Sequence, residues 1–364
     1  MTVVVDGQPQ SYVALDDPLL LAFDYVEHLA LAIDAWSGAA AAGGAVAGAG
    51  GAAGAGATLR VTHVGGAGLT LARWIAVTRP GSPQIVLEPD EELTAAVRSR
   101  LPLPRGHRVR VRPVDGRSGI RALADGSADV VVLDAFAGGR VPADLVSVEF
   151  FEQVCRVLTS GGLCVANLAD EPGLRHAARV VTAMGASGLG DVVLIAGHEV
   201  LKGRRFGNVV VAAVSAGPAS TTDPAAGADP VAGAGAVAGA GAVVGAGAVV
   251  GAGAVAGASA GPGAGAGAVA GAGAVAGARA GPGAGASRLP TARNLTEGPG
   301  ADRPAERSAA GLAELRRRVA SASRPTGIRA GLEVTRWLAG ARPWTDADAV
   351  PSPEPPDPGA WRLR

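Results

Sequence analysis

The feature that most restricts this chain is an apolar run that ends in glycines and then turns helical. Leu59–Val64 has strand length, and Gly65-Gly66-Ala67-Gly68-Leu69 follows it at once, opening a segment with helical spacing. Glycines there let the backbone approach a ligand closely, beside the positive end of a helix; a tight strand–helix turn is the plainer reading. The pattern then recurs. Apolar runs lie at Gln84–Leu87, Arg108–Val114, Val130–Leu133, Leu163–Ala166, Val192–Ala196 and Asn208–Val214. Helical stretches separate most of them, at Leu69–Val77, Glu91–Arg100, Glu149–Leu158 and Leu174–Met184. Strands alternating with helices predict a mostly parallel sheet covered on both faces. The last two runs have no helical stretch between them and are expected to pair antiparallel. Upstream, Thr2–Val5 and Ser11–Leu15 flank the turn-forming Asp6-Gly7, which predicts a small N-terminal hairpin. Leu20, Phe23 and Leu31 sit at helical spacing within Leu19–Ala35.

Two tracts fall outside this pattern. Ala39–Ala57 is nearly all Ala and Gly, and Gly217–Ala286 is dominated by them; without both, 275 residues remain, enough for one α/β domain and a tail. The longer tract holds four hexads at Gly233–Ala256 (GAGAVA, GAGAVV, GAGAVV, GAGAVA) and a GASAGPGAGA segment that returns as GARAGPGAGA. Repeats without large apolar side chains bury little area, and Gly loses the most backbone entropy on ordering. A disordered linker is therefore expected, with silk-like stacking and a membrane span as the competing readings; the span lacks Leu, Ile and Phe to drive insertion. The expected layout is a hairpin over 1–18, a Rossmann-like nucleoside-binding domain over 19–215 with a low-complexity insert at 39–57, a linker over 216–307, and a C-terminal helix and extended tail over 308–364.

Charge and cysteine content narrow the function. Thirty-two basic residues face 32 acidic ones, which argues against a general nucleic-acid binder, since such proteins need a cationic excess. Only Lys202 among the basic residues is lysine. Cys155 and Cys164 provide neither a disulfide framework nor a metal-ligand spacing, so no metal is expected. No basic segment followed by a long apolar run opens the chain, and a cytoplasmic location is the expectation.

In an open α/β sheet, ligands bind beyond the carboxyl ends of the strands, at the point where strand order reverses. Polar residues that follow the apolar runs are therefore the candidates. Glu88 ends the run Gln84–Leu87, 20 residues after Gly68; a carboxylate at that distance accepts ribose hydroxyls in Rossmann-like units. A solvated acid at a helix start competes, and Asp90, Glu91 and Glu92 suit that role. Asp115-Gly116 follows Arg108–Val114, where an acid can take the adenine amine or simply cap a helix. Asp134 ends Val130–Leu133 beside the glycine loop and would face whatever reacts. Together these positions read as adenine-nucleoside binding, although these residues alone leave a dehydrogenase open.

Several segments together resemble the spermidine-synthase-like (polyamine aminopropyltransferase) family, which shares the class I S-adenosylmethionine methyltransferase fold. Val5-Asp6-Gly7-Gln8-Pro9-Gln10 looks like its LDGxxQ motif, and Phe23-Asp24-Tyr25-Val26-Glu27-His28 like its F-x-Y-Q-E-M helix. Gly65–Leu69 stands where the family has GGGDG, and Pro142-Ala143-Asp144-Leu145 through Phe151 resembles its PAES-x-F segment. Thr345-Asp346-Ala347-Asp348-Ala349-Val350-Pro351 looks like the T-D-D-x-x-P tail of membrane-fused relatives. The resemblance runs from about Val3 to Val214. It implies a seven-stranded Rossmann-like methyltransferase sheet with Asp134 and Tyr25 as catalytic residues. It also implies a nucleoside held by Gln10, Gly65, Gly66, Gly68, Glu88, Asp115 and Gly116. S-adenosylmethionine or its decarboxylated form would be the co-substrate, and a small molecule such as a polyamine the acceptor; self-association stays open.

The departures matter as much as the matches. The family's GGGDG acid corresponds to Gly68, and its DSSD pair becomes Asp134-Ala135-Phe136-Ala137, which removes the second acid. A diamine carries two ammonium groups, each wanting an anionic partner, so half the carboxylates should bind it poorly. Three readings follow: a spermidine-synthase-like aminopropyl transferase, a small-molecule methyltransferase, and a non-catalytic nucleoside-binding or assembly protein. Other residues have plainer readings beside sharper ones. His28 is a structural histidine or a base. Lys202-Gly203-Arg204-Arg205 is a solvated hairpin or an anion-binding rim. Cys155 and Cys164 are core, and Arg316-Arg317-Arg318 is one side of an amphipathic tail helix.

Overall fold

The computed structural model describes residues 1–5, 7–42, 56–216 and 304–356. Asp6 of the hairpin turn, most of the 39–57 insert, nearly all of the expected linker with its hexads, and the last eight residues lie outside the described residues. All described residues belong to one compact unit, Met1–Thr221 with Gly300–Arg364.

Strands β1 (Thr2–Val5) and β2 (Gln8–Tyr12) pair antiparallel, with a register shift between Val3 and Val4. Helix α1 spans Asp24–Ala42, displaced from the expected Leu19–Ala35. Asp17 explains the late start: its Oδ1 accepts from Leu19 N at 3.1 Å and its carbonyl accepts from Leu20 N, a local turn that competes with helix. The late end follows from the run of Ala at 39–42, the best helix former, which lets α1 extend into what composition alone marks as insert.

The main sheet is built from β3 (Val61–Val64), β4 (Gln84–Leu87), β5 (Val109–Arg112), β6 (Ala128–Leu133), β7 (Leu158–Asp170), β8 (Leu189–Gly197), β9 (Gly207–Ser215) and β10 (Thr326–Ala330). Its order is β10-β8-β9-β7-β6-β3-β4-β5. Strands β5, β4, β3, β6 and β7 run parallel, and β9, β8 and β10 add antiparallel pairings. The connecting helices are α2 (Thr70–Thr78), α3 (Glu91–Arg100), α4 (Gly116–Arg121), α5 (Val148–Val157), α6 (Arg175–Ala186) and the short α7 (His198–Leu201). The chain closes with α8 (Pro304–Ala320) and α9 (Leu332–Trp337).

This is the expected Rossmann-like architecture with a hairpin in front, but the sheet has eight strands instead of seven. The addition is β10, within the segment expected as an extended tail. TGIRA carries one large apolar residue and no strand pattern; pairing with β8, Ile328 opposite Ile195, makes it a strand. The last two expected runs do pair antiparallel, as β8 and β9, although α7 stands between them where no helix was expected.

Strand β6 shows how the core divides. Val131 and Leu133 point into a cluster with Phe150, Phe151 and Met184, while Val130 and Val132 point into one with Leu29, Ile33 and Ile75. Successive side chains on a strand face opposite sides, so a strand buried on both faces must be apolar throughout. Helix α8 covers the second face through buried Leu315 and Val319. Its exposed Arg317 pairs with Glu314, as expected of an amphipathic helix, while Arg318 pairs with both Glu314 and Asp34 of α1.

Candidate active site at the β3/β6 switch point

Strand order reverses between β3 and β6: β4 and β5 extend one way from β3, and β6 lies on its other side. The carboxyl ends of β3 and β6 therefore bound a crevice. Gly65 takes φ +87°, and a Cβ there would lie 2.2 Å from the Asp134 carbonyl. Only glycine lets the two strand ends come this close. A Cβ on Gly66 would meet Val86 Cγ1 at 2.5 Å. The loop then enters α2 through Ala67 and Leu69, both at positive φ.

The structure gathers Tyr25, Gly65, Gly66 and Asp134 around one cavity of about 20 Å³, together with Ser11 and His63, room for a single water. Asp134 is half-buried, and its Oδ1 accepts from Asn167 Nδ2 at 2.9 Å. Asn167 on β7 is fully buried, and its Oδ1 accepts from Asn208 Nδ2 on β9 at 3.0 Å. A carboxylate can only accept, so this chain of amides has a fixed direction, ending on Asp134. Burial pushes the Asp134 carboxyl up to about 6, opposed by the Asn167 hydrogen bond. Burial first, and the Asp134 charge second, hold the Tyr25 phenol well above its ordinary value. The Tyr25 hydroxyl donates to the Gln10 carbonyl at 3.2 Å, so it is the main chain of Gln10 that reaches this site. His63 bonds Gln84 Oε1 through Nε2 at 2.9 Å, and burial lowers it to about 4, which keeps it neutral.

Glu88 stands at the end of β4, half-buried. Its Oε2 accepts from Gly66 N at 3.2 Å and Ala67 N at 3.4 Å, and its Oε1 from Asp90 N at 3.1 Å. Asp115 caps α4, accepting from Ser118 N at 2.8 Å, and that bond holds its carboxyl below the usual range. Gly116 packs against Val64, where a Cβ would come within 2.3 Å of Cγ1. Gly68 faces elsewhere: its N–H donates to Ser11 Oγ at 3.1 Å, and a Cβ would meet Ser11 Cβ at 2.8 Å. An acid restored at position 68 would run into β2. His28 lies away from the crevice, against Thr326 of β10 at 3.1 Å, with burial lowering its pKa.

Sequence reasoning passes over His63, Asn167 and Asn208. The signal was present, since each is a polar residue inside an otherwise apolar run, and buried polar groups are rarely without a reason. Asp170 also escapes it. This fully buried acid ends β7, accepts from Glu171 N and Ala177 N at 2.8 Å each, and so ties down the start of α6; burial raises it to about 6.

The C-terminal segment forms the outer wall of the loop after Asp134. Arg117 pairs with both carboxylate oxygens of Asp346, and Ser147 Oγ donates to Asp346 Oδ1 at 2.6 Å. Ser352 clasps Val141 from both sides: its Oγ accepts from Val141 N at 2.9 Å, and its N donates to the Val141 carbonyl at 3.0 Å. Ala137 sits exposed in a turn closed on Arg140. Among the described residues, no helix is long and apolar enough to cross a membrane.

No family model matches the chain. Two curated relatives, the polyamine aminopropyltransferases of Neisseria meningitidis serogroups A and B, are each 29% identical over 108 residues, covering 29% of this chain. The match spans 41% of each relative's length. A solved structure of a probable spermidine synthase from Corynebacterium glutamicum aligns over 96% of this chain and 89% of its own, with TM-score 0.60 and 23% identity. Human methyltransferase-like protein 13 in complex with SAH aligns over 55% of this chain and 85% of its own, with TM-score 0.42 and 17% identity. The alignment with the probable spermidine synthase shows a shared fold, the Rossmann-like architecture that the resemblance implies.

Proposed function

We propose that this chain is a spermidine-synthase-like transferase. It would take an S-adenosylmethionine-derived sulfonium nucleoside along the ends of β3, β4 and β5 and pass its activated carbon to a small amine beside Asp134. One observation carries the reading. A half-buried carboxyl raised to about 6 stands at the switch point, lining the same cavity as the glycine loop and Tyr25, with one oxygen held by Asn167. Strongly perturbed groups in such crevices mark functional sites. The similarity to polyamine aminopropyltransferases and to the solved structure of a probable spermidine synthase supports it.

In this reading Glu88 accepts the ribose hydroxyls, exchanging its present bonds to Gly66 N and Ala67 N, while Asp115 accepts the adenine amine. Gly65, Gly66 and Gly116 allow close backbone approach, and Gln10 and Gly68 shape the loop from the hairpin side. Asp134 takes a proton from the acceptor ammonium, and the freed nitrogen lone pair attacks the carbon bound to sulfur. The C–S bond breaks with its electron pair returning to sulfur, leaving a neutral thioether. Tyr25, neutral at working pH, orients the acceptor. Positioning supplies the rest, since the sulfonium is already activated.

Ala137 favours a refinement. It leaves Asp134 without the second acid that a diamine requires, so a monoamine suits the site better. Methyl transfer from S-adenosylmethionine itself is the second reading, since the loop Gly65–Leu69 carries no acid to repel the extra carboxylate. Calorimetric titration with S-adenosylmethionine, its decarboxylated form and methylthioadenosine tests the proposal, followed by product mass analysis with mono- and diamines. Binding plus alkylated amine is expected. Binding without transfer would favour the non-catalytic alternative, and no binding of any of the three would defeat the proposal.

A further inference from the structure

The basic cluster that begins at Lys202 lies far from Asp134. Strand β10 is four strand spacings from β6, about 19 Å at ordinary sheet geometry. There α7, β10 and α9 border an open groove of about 550 Å³. Its floor is backbone: a Cβ on Gly327 would lie 2.9 Å from both His198 Nδ1 and Leu201 Cδ1, so glycine is what lets α7 sit this close to the strand. Its walls carry Lys202, Arg329 and Arg336 against a single acid, Glu333, with Trp337 as an aromatic side.

Arg329 is the informative residue. Its Nη2 donates to the Leu201 carbonyl at 2.7 Å, and its guanidinium carbon lies 5.3 Å from the Trp337 ring centre, which fixes the orientation. Its Nη1 is buried and has no hydrogen-bond partner. A buried cationic donor without an acceptor is unfavourable, and such an orphan in a native structure calls for a partner. Arg336, exposed on α9, faces the same groove. Lys202 is only loosely held, 3.4 Å from Glu199.

The geometry points to a second ligand site in this groove, one that binds a small multivalent anion bearing phosphate or carboxylate groups, with the exposed Arg336 and Lys202 as its contacts and Arg329, its Nη1 buried, as the cation behind them. Planar guanidinium groups suit both chemistries because they donate two parallel hydrogen bonds to paired oxygens. The site would take a free metabolite-sized anion and is independent of the nucleoside crevice.

The test is isothermal calorimetry of the full chain at 0.15 M NaCl with inorganic pyrophosphate and with citrate, which separate the phosphate from the carboxylate source. Saturable binding of at least one is expected, not displaced by saturating methylthioadenosine. Arg336→Gln should weaken it tenfold or more, Arg329→Gln likewise, and Glu333→Gln should strengthen it several-fold. Arg329 also supports Leu201, so the exposed Arg336 decides if the Arg329 variant fails to fold. Absence of binding to both anions, binding unchanged by Arg336→Gln, or displacement by methylthioadenosine would overturn the assignment.

Discussion

Asn167 donates its side-chain amide to Asp134 across adjacent strands β7 and β6, at 2.9 Å, and is itself supported by Asn208 from β9. The acid at the switch point is therefore held by residues that lie 33 and 74 positions further along the chain. Burial favours the neutral acid and the amide favours the carboxylate, so the proton on Asp134 is set by a balance of two tertiary effects.

That balance gives a pH dependence with a definite sign. The folded pKa of about 6 lies above the ordinary 3.8, so between these values the folded state binds more protons than the unfolded chain. Stability from this group is full below about pH 4 and is lost as pH rises through 6. Asp134→Asn should therefore stabilise the protein at pH 7.5 by on the order of 1–3 kcal/mol. Thermal melts of both proteins should converge at pH 3.5. Under the proposed chemistry, amine alkylation by the unaltered protein should rise as pH passes through 6 and vanish in the variant.

Asn167→Leu removes the donor and leaves the carboxylate in an apolar wall. The Asp134 carboxyl should then titrate above its value in the unaltered protein, followed by carbon-13 NMR of labelled aspartate. Asn208→Leu should produce a smaller shift in the same direction, because it acts through Asn167. Unchanged titration in both variants would show that the amide chain does not bear on the acid.

Glu88→Ala should weaken methylthioadenosine binding by about 1.5–3 kcal/mol, the loss expected for charge-assisted hydrogen bonds. Glu92→Ala, an exposed acid of the next helix, should have no effect. Equal small effects from the two would remove Glu88 from the ribose position.

Gly68→Asp should destabilise the fold by about 1–3 kcal/mol, because the new side chain is forced against Ser11. Adding Ser11→Gly should recover part of that loss in chemical denaturation. Additive losses in the double variant would mean that the hairpin does not press on the loop.

Ending the chain after Val350 removes the two hydrogen bonds between Ser352 and Val141 and the contact of Pro355 with Gly139. Amide exchange at Val141 should accelerate by at least tenfold, while exchange at β6 stays slow. Uniform acceleration would instead indicate that the tail holds the whole sheet together.

Local pattern determined the alternation of strands and helices, the glycine turn at 65–68, and the acids at the ends of β4, β5 and β6. These follow from side-chain period, glycine conformation and helix-terminus chemistry, which act within a few residues. Helix α3 appears at Glu91–Arg100, the bounds its sequence predicts. Tertiary structure decided the rest. TGIRA became β10 only because β8 offered an open edge, and Gly68 was turned toward Ser11 by a hairpin 57 positions earlier. Asp134 acquired its raised pKa from burial, and its donor from β7. Burial and long-range hydrogen bonds depend on which segments meet in space, and a polar residue such as Asn167 shows its purpose only when its neighbour across the sheet is known.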